Sequence, residues 1–303
     1  MKLKTKDLLT LSELTSKEFT YLIDYSIILK KESKKGNKPL LKNKTLAMIF
    51  QKPSTRTRVS FEAGMFQLGG HAINLSSNDM QLSRGETIED TAKTLSRYTD
   101  CIMARVYDHN LLEKLSKASS VPVINGLSDS FHPCQILADF MTIKEKKGKL
   151  KGLKIAWIGD GNNVCNSMIY GCALSNVKLS IATPKGFEPD KTVLSESKKL
   201  TDIDLTDDPQ KAVKDADVVI TDTYTSIHNN DQKRIKKFLP KYQVNQTLMN
   251  KAKSNAIFMH CLPAKRENEV TSSVIDGKQS VVWDEAENRL HTQKALLISI
   301  IRA

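Results

Sequence analysis

The sequence lacks the long apolar runs that cross membranes. No hydrophobic segment approaches the ~20 consecutive apolar residues that a membrane-spanning helix needs. The first residues carry charge at Lys2, Lys4 and Lys6 but no apolar stretch typical of a secretory signal. Cysteine is also scarce, and the five thiols are scattered, odd in number and without zinc-finger spacing. We therefore expect reduced thiols in a cytoplasmic protein, and neither a disulfide framework nor a membrane partner.

Arginine and aromatic residues are also few. The chain has 303 residues, a net charge of +12 and 40% hydrophobic residues, which is typical of a globular protein of about two domains. A basic chain raises nucleic acid as a partner, but the lysine-rich runs at 30–38 and 144–154 contain no aromatics for base stacking. We interpret these runs as a solvated surface and expect no nucleic-acid partner. Only 9 of the 46 basic residues are arginines, so each arginine is a candidate for a role that needs its geometry.

Apolar strand candidates alternate with helical patterns along the chain. The strand candidates are 45–50, 71–75, 101–105, 121–125, 154–158, 177–182, 203–205, 218–222, 256–260 and 280–283. The helical patterns are one or two within 7–35, then 58–68, 87–97, 111–118, 132–147, 163–174, 190–199, 209–214, 230–238, 245–253 and 285–302. This alternation indicates parallel sheets covered on both faces.

We predict an α/β fold with two doubly wound parallel-sheet domains. A basic, glycine-flanked segment at 148–152 marks the boundary between them. The first domain is expected to span 1–147 and to be completed by a C-terminal helix at 286–303, and the second to span 148–285. In such folds a ligand binds at the carboxyl ends of the strands, so the expected site is an interdomain cleft.

The stretch Ser54-Thr55-Arg56-Thr57-Arg58 joins a strand candidate to a helical pattern. A helix N-terminus presents unpaired backbone N–H groups and the positive end of the helix dipole, and so favours an anion. Hydroxyls add neutral donors, and a guanidinium group matches phosphate oxygens bidentately. We interpret the stretch as a phosphate cradle in which Arg56 is the ligand, while Arg58 suits packing or ion pairing. The alternative is an ordinary N-cap followed by two solvated arginines.

Other polar clusters also follow predicted strands. Arg105 ends one strand, and His132-Pro133-Cys134-Gln135 opens a helix whose imidazole can donate to a carbonyl or phosphoryl oxygen. Asp222 ends a strand of the second half, where a carboxylate can hold an ammonium group. Arg289 lies in an acidic first helical turn, where an arginine is unfavourable unless it serves an anion. Taken singly, each cluster also has an ordinary structural interpretation as a surface salt bridge, a helix cap or a turn.

Two stretches of the second half raise alternative chemistries. Gly159-Asp160-Gly161 is similar to a dinucleotide fingerprint, but Val164 replaces its third glycine, which weakens the case for a nicotinamide dehydrogenase. Asn162-Asn163 can bind a polar ligand or serve as a helix cap. His260-Cys261 suggests a nucleophilic thiolate. Adjacent strand residues point to opposite faces, however, so we expect Cys261 to orient a substrate rather than to attack it.

Taken together, these motifs resemble the transcarbamoylase family. The shared motifs, in chain order, are Ser-Thr-Arg-Thr-Arg, an Arg-x-Tyr at 105–107, His-Pro-Cys-Gln, a His-Cys-Leu-Pro at 260–263 and a C-terminal Glu-Asn-Arg. The cysteines at 134 and 261 make the chain look like the ornithine-using branch, because aspartate-using relatives typically carry Pro in place of Cys261. The resemblance implies transfer of the carbamoyl group of carbamoyl phosphate to the δ-amine of L-ornithine, giving citrulline and phosphate. It implies no metal, cofactor or covalent intermediate.

The resemblance also implies a role for individual residues. Those expected to bind carbamoyl phosphate are Ser54, Thr55, Arg56, Thr57, Gln81, Arg105, His132, Gln135, Cys261, Leu262 and Arg289. Those expected to act on the reacting atoms are Arg105, His132, Cys261 and Arg289. Those expected to bind ornithine are Asn163, Asp222, Ser226 and Ile227. Gln81 matches a loop that reaches a neighbouring subunit's site, which implies a homotrimer.

One motif departs from the family pattern. Ser226-Ile227-His228 stands where the family usually shows Ser-Met-Gly. Another amine acceptor, such as putrescine or an acylated ornithine, therefore stays open as the near alternative. A basic nucleic-acid-binding protein is the remote alternative. The motifs do not distinguish a biosynthetic from a catabolic role in arginine metabolism.

Overall fold

The computed structural model describes residues 1–225 and 232–301 and divides the chain into two compact units. The first unit contains Met1–Met141 and Glu287–Ala303, and the second contains Thr142–Ala286. Each unit has one sheet whose strands all run parallel. The predicted class of two parallel-sheet α/β domains is therefore confirmed. None of the helices in the described ranges is long and apolar enough to cross a membrane.

The first unit has a four-stranded sheet in the order β2-β1-β3-β4. Its strands are β1 (Thr45–Phe50), β2 (His71–Ser76), β3 (Cys101–Arg105) and β4 (Val123–Leu127). The helices that begin in it are α1 (Ser16–Ser33), α2 (Thr55–Gln67), α3 (Ile88–Tyr98), α4 (His109–Ala118) and α5 (Pro133–Lys147). The strand order reverses direction between β1 and β3, and a crevice for ligands forms at such a switch point.

The second unit has a five-stranded sheet in the order β7-β6-β5-β8-β9. Its strands are β5 (Lys154–Ile158), β6 (Lys178–Ala182), β7 (Ile203–Thr206), β8 (Val218–Thr221) and β9 (Ile257–Met259). The helices that begin in it are α6 (Asn163–Ser175), α7 (Lys191–Ser197), α8 (Pro209–Val213), α9 (Gln232–Phe238), α10 (Gln246–Met249), α11 (Ser272–Ile275) and α12 (Val282–Ile301). Here the switch point lies between β5 and β8.

The strand predicted at 280–283 is wrong. Ser280 forms only an isolated bridge with Phe258, and Val282 is the first residue of α12. The apolar run favours a strand locally, but the backbone N–H of Glu285 donates to the carbonyl of Val281 at 2.9 Å and begins a helix. Asp284 and Glu285 in the first turn stabilise that helix through its dipole.

The helix predicted at 245–253 is also shorter in the structure. It spans only Gln246–Met249. Asn245 caps this helix by accepting the backbone N–H of Leu248 at 3.0 Å. At the other end, Lys251 and Ala252 donate to carbonyls only three residues back, so the chain leaves the α-helical pattern there.

Gly161 permits a close approach of two backbone segments beside β5. Its N–H donates to the carbonyl of Phe187 at 2.9 Å. A Cβ at this position would lie 2.3 Å from the nitrogen of Pro189 and 2.6 Å from the oxygen of Phe187. These are backbone atoms that cannot rotate away. The glycine therefore has a packing role that is independent of any dinucleotide.

We expect Gly161→Ala to lower the free energy of unfolding by about 1–3 kcal/mol, as overpacking against fixed atoms does. Gly148→Ala is the matched control, because Gly148 has a positive φ of 75° but open space around its Cβ position. Its expected loss is about 1 kcal/mol from backbone strain alone. Urea denaturation of both purified variants measures the difference. Equal losses in the two variants would show that the backbone at 187–189 does not prevent a side chain at position 161.

Candidate active site

The first candidate site lies where β1 and β3 end side by side. Phe50 and Arg105 are paired in register across the two strands. The backbone N–H of Gln51 continues this pairing by donating to the carbonyl of Arg105 at 2.9 Å. The loop that leads to α2 therefore starts at the same point of the sheet edge from which the Arg105 side chain projects.

The first turn of α2 contains the hydroxyl-rich part of the predicted cradle. Ser54 is the N-cap, and its Oγ accepts the backbone N–H of Thr57 at 3.3 Å. The helix begins at Thr55, three residues before the predicted start, because Ser54 is an effective cap. The first N–H groups of a helix have no carbonyl partners within it, so this turn offers donors and a positive dipole end to an anion.

Two arginines meet at the hydroxyl of Thr57. Arg105 Nη1 lies 3.5 Å from Thr57 Oγ1, and Arg289 Nη2 lies 3.4 Å from the same atom. Arg289 also donates through Nη1 to Gln135 Oε1 at 2.6 Å. Thr57, Gln135 and Arg289 are all buried. The first unit thus connects four of the predicted residues, because Arg289 contacts both the Thr57 hydroxyl, which it shares with Arg105, and the Gln135 amide.

His132 is the neutral member of this group. It is buried at the start of α5, next to Pro133. Burial lowers the pKa of His132 well below 6.5, and the positive charges of Arg289, Arg105 and Arg56 lower it further. The imidazole is therefore neutral at physiological pH. A neutral ring can donate an N–H to a developing oxyanion without adding to the repulsion among the arginines.

The orientation of the Gln135 amide is defined by two neighbours. Gln135 Nε2 donates to Asp139 Oδ1 at 2.8 Å, one helical turn further along α5. The amide oxygen consequently faces Arg289. Arg58, in contrast, lies away from this group and pairs with Glu62 at 3.7 Å on a half-exposed helix face.

Lys52 is a candidate residue that sequence reasoning missed. Its side chain is buried, and Nζ lies 4.3 Å from the centre of the Tyr107 ring. Burial lowers the pKa of Lys52 to about 8, with a further decrease from Arg105 and an opposing effect of Asp129. The signal in the sequence is that Lys52 lies two residues before Ser54. In a chain with so many lysines, that position alone does not distinguish Lys52 from a surface lysine.

The second candidate site lies at the ends of β5 and β8. Asn162 caps α6 through Oδ1, which accepts the N–H groups of Val164 and Cys165 at 3.0 and 3.1 Å. Asn162 Nδ2 donates to Asp222 Oδ2 at 2.7 Å. The other carboxylate oxygen, Asp222 Oδ1, accepts from Cys261 Sγ at 3.2 Å. Asp222 is thus a buried carboxylate that joins two strand ends.

Both ring nitrogens of His260 have partners other than the Cys261 thiol. His260 Nδ1 accepts the backbone N–H of Leu262 at 2.9 Å, and Nε2 lies 3.2 Å from Glu269 Oε1. Potential metal-ligand atoms of Asp222, His260 and Cys261 lie within 4.8 Å of one another. A metal would have to displace one of the two contacts of the ring in order to reach His260.

Other predicted residues lie on α6, in a short turn after β2, or outside the described ranges. Asn163 is the first residue of α6 and lies partly buried beside the Asn162 cap. Gln81 is exposed in a short 3-10 turn, Gln81–Arg84. Ser226, Ile227 and His228 lie outside the described residues. Asn162 contacts Asp222. The sequence predicts for Asn162 only a helix cap or an amide that binds a polar ligand, and it does not predict this contact.

Comparison with known proteins identifies both halves of the chain. The carbamoyl-P binding domain of aspartate/ornithine carbamoyltransferase matches residues 6–145, and the Asp/Orn binding domain matches residues 151–300. An ornithine carbamoyltransferase of Cenarchaeum symbiosum is 62% identical over 99% of both chains. One of Bacillus subtilis is 52% identical over 98% of this chain and 94% of its own.

A solved structure agrees with these relatives. The ornithine carbamoyltransferase of Pyrococcus furiosus has a TM-score of 0.93 and 52% identity, and the match covers 98% of this chain and 97% of that one. This chain is therefore similar to that protein in both sequence and fold over essentially its full length. The chain belongs to the aspartate/ornithine carbamoyltransferase family.

Proposed function

We propose that this protein is an ornithine carbamoyltransferase, which transfers the carbamoyl group of carbamoyl phosphate to the δ-amine of L-ornithine. The products are L-citrulline and phosphate. The observation that carries the proposal is the convergence of Arg105 and Arg289 on Thr57, beside the neutral His132, at the N-terminus of α2. This group offers donors both to a phosphate and to a carbonyl oxygen, which are the two ends of carbamoyl phosphate.

The phosphate end of the donor substrate binds at the first turn of α2. The groups that hold it are the backbone N–H groups of the turn and the side chains of Ser54, Thr55, Arg56 and Thr57. The Thr57 oxygen has two lone pairs and one proton. Both lone pairs face arginine N–H groups, so the hydroxyl proton is left to donate to a phosphate oxygen.

The carbamoyl end lies among Arg105, His132, Gln135 and Arg289. Negative charge develops on the carbonyl oxygen as the amine attacks, and two guanidinium groups with a neutral imidazole are preorganised donors for it. The Gln135 oxygen accepts from Arg289 through one lone pair. Gln135 is therefore held beside Arg289, and its amide is the group that we expect to bind the carbamoyl NH₂ group.

The acceptor amino acid binds around Asp222, together with Asn163, Ser226 and Ile227. The carboxylate opposes an ammonium group, and Asp222 with Cys261 orients the attacking amine. Cys261 and Leu262 lie between the two substrates and also bind carbamoyl phosphate. The new C–N bond forms as the C–O bond to phosphate breaks, and the proton lost by the amine leaves with the phosphate. Positioning of the two substrates supplies much of the acceleration in such a reaction.

Citrulline formation with different amines tests the assignment. We expect kcat/KM for L-ornithine to exceed that for putrescine or N-acetylornithine by about 100-fold or more. The physical reason is that a site built for a charged amino acid leaves its polar groups unpaired with the analogues. A colorimetric assay of ureido products measures all three. Turnover of putrescine without turnover of ornithine would contradict the proposal.

Arg56→Ala should lower kcat/KM for carbamoyl phosphate by about 100-fold, because it removes a charge-assisted clamp from the phosphate. Arg56→Lys and Arg58→Lys form a matched pair that keeps the charge and removes the planar fork. We expect a loss of about 10-fold or more in the first and less than about 2-fold in the second, since the exposed pair of Arg58 with Glu62 needs only a point charge. Steady-state kinetics measures each value. Equal effects at 56 and 58 would refute the cradle.

We also infer a homotrimer in which Gln81 reaches the site of a neighbouring subunit. The first unit supports this inference with large apolar side chains that are exposed on α2 and on the edge strand β2. Val59 is 58% exposed, Phe66 81% and Ile73 39%. Exposed apolar patches of this kind mark association surfaces, and Gln81 is the fifth residue after the end of β2. The five free thiols support a reducing compartment such as the cytoplasm.

Phe66→Glu tests the trimer, because a charge on an apolar interface opposes association. Sedimentation velocity should give wild-type particles of three times the 33.9 kDa chain mass, and smaller particles with reduced activity for the variant. Leu200→Glu is the control, since Leu200 is a similarly exposed apolar residue of the second unit. A monomeric and fully active wild type would overturn both the trimer and the role of Gln81.

A further inference from the structure

Leu262 has a backbone conformation that a leucine rarely adopts. Its φ is +56°, in the left-handed region, where the Cβ lies too close to the following carbonyl oxygen and the conformation is strained. The N–H of Leu262 donates to His260 Nδ1 at 2.9 Å. This contact closes a small ring of atoms from His260 to Leu262 and so helps to hold the strained residue in place.

Glu269 defines the orientation and tautomer of the His260 ring. A backbone N–H is only a donor, so His260 Nδ1 must be the acceptor and the ring proton must lie on Nε2. Nε2 then donates to Glu269 Oε1 at 3.2 Å. The same oxygen accepts the backbone N–H of Lys265 at 2.6 Å. The side chains of His260 and Glu269 are both completely buried.

The backbone of His260 is held independently of its ring. Its N–H donates to Glu285 Oε2 at 3.0 Å, in the first turn of α12. The residue thus has fixed contacts at its backbone nitrogen and at both ring nitrogens. These contacts hold His260 in one orientation. Because Nδ1 accepts the Leu262 N–H, the ring also fixes the direction of the peptide that precedes Leu262.

Cys261 lies between the two held residues. Its thiol donates to Asp222 Oδ1 at 3.2 Å, and Asn162 holds the other oxygen of Asp222 at 2.7 Å. The direction of the Cys261 side chain depends on the backbone at 260 and 262. Glu269, His260 and Leu262 therefore influence the direction of a thiol that also contacts Asp222 in the candidate acceptor site.

We propose that Glu269 and His260 are positioning residues for carbamoyl transfer, which act through the Leu262 N–H to aim the Cys261 thiol and the Leu262 peptide at the attacking amine. Neither residue touches a substrate. This inference rests on the proposed function, because it takes Asp222 and Cys261 as parts of the amine site. It assigns a role in the reaction to a buried His–Glu pair that otherwise would serve stability alone.

His260→Asn and His260→Gln separate the positioning role from a structural one. The Asn side-chain oxygen lies near the place of Nδ1 and can accept the Leu262 N–H, whereas the Gln amide reaches towards Glu269 and leaves that N–H without its acceptor. Both changes remove the ring from the same buried position. A displacement of about 1 Å can cost about 100-fold in rate.

We expect His260→Asn to retain kcat/KM for ornithine within about 10-fold of wild type, and His260→Gln to lose about 100-fold. The Kd for inorganic phosphate, measured by calorimetry, should change less than about 2-fold in both variants, because the proposed phosphate cradle at Ser54–Thr57 lies in the first unit. Equal kinetic losses in the two variants, or losses that follow their melting temperatures, would overturn the proposal.

Glu269→Gln and Glu269→Ala provide a second pair. Gln keeps an acceptor oxygen for His260 Nε2 and Lys265, so it should retain most of the wild-type kcat, whereas Ala should lose about 10-fold or more. Similar kcat values in these two variants would contradict the role of Glu269. Wild-type protein in the same assay separates the two proposals, since absence of citrulline formation there would refute the proposed function itself.

Discussion

The concentration of positive charge around Thr57 is the constraint on which the first site depends. Arg289 is buried and shares the Thr57 oxygen with Arg105, and Lys52 is buried nearby. Burial lowers the pKa values of Lys52 and His132, and the nearby arginines lower them further, because cations brought this close disfavour one another's charge. An anion removes this penalty. The charge arrangement of this site therefore favours a bound anion.

The second site lies at the same kind of position in its sheet as the first, but its central charged group is negative. In both sheets the polar groups follow the two strands between which the strand order reverses, where the carboxyl ends leave room for a ligand. A helix N-terminus and arginines face the first crevice, so it selects an anion. Asp222 lies at the second crevice, and its two oxygens are held by Asn162 and Cys261. A carboxylate fixed in this way is preorganised for an ammonium group.

Much of this arrangement was predictable, since the carboxyl ends of parallel strands collect ligand groups. Strands such as Thr45–Phe50 and Lys154–Ile158 are buried apolar runs with the predicted bounds. The contacts were harder to predict. Glu269 is eight residues beyond Cys261, and no local pattern connects it with His260. The error at 280–283 has a similar origin, because local β-propensity there is overridden by the start of α12.

The contacts of individual arginines explain why this lysine-rich chain has arginine at particular positions. Lysine supplies charge on the surface, whereas several arginines lie where their planar shape is required. Arg289 reaches Gln135 and Thr57 with two different nitrogens. Arg234 binds Asp160, donates through Nε to the carbonyl of Tyr224 at 2.8 Å and lies 4.6 Å from the centre of the Phe187 ring. A lysine at either position offers one point charge and cannot make these contacts together. Arg289 and Arg234 therefore fix the geometry of the polar contacts around Thr57 and Asp160, each through more than one nitrogen or through a nitrogen and an aromatic ring.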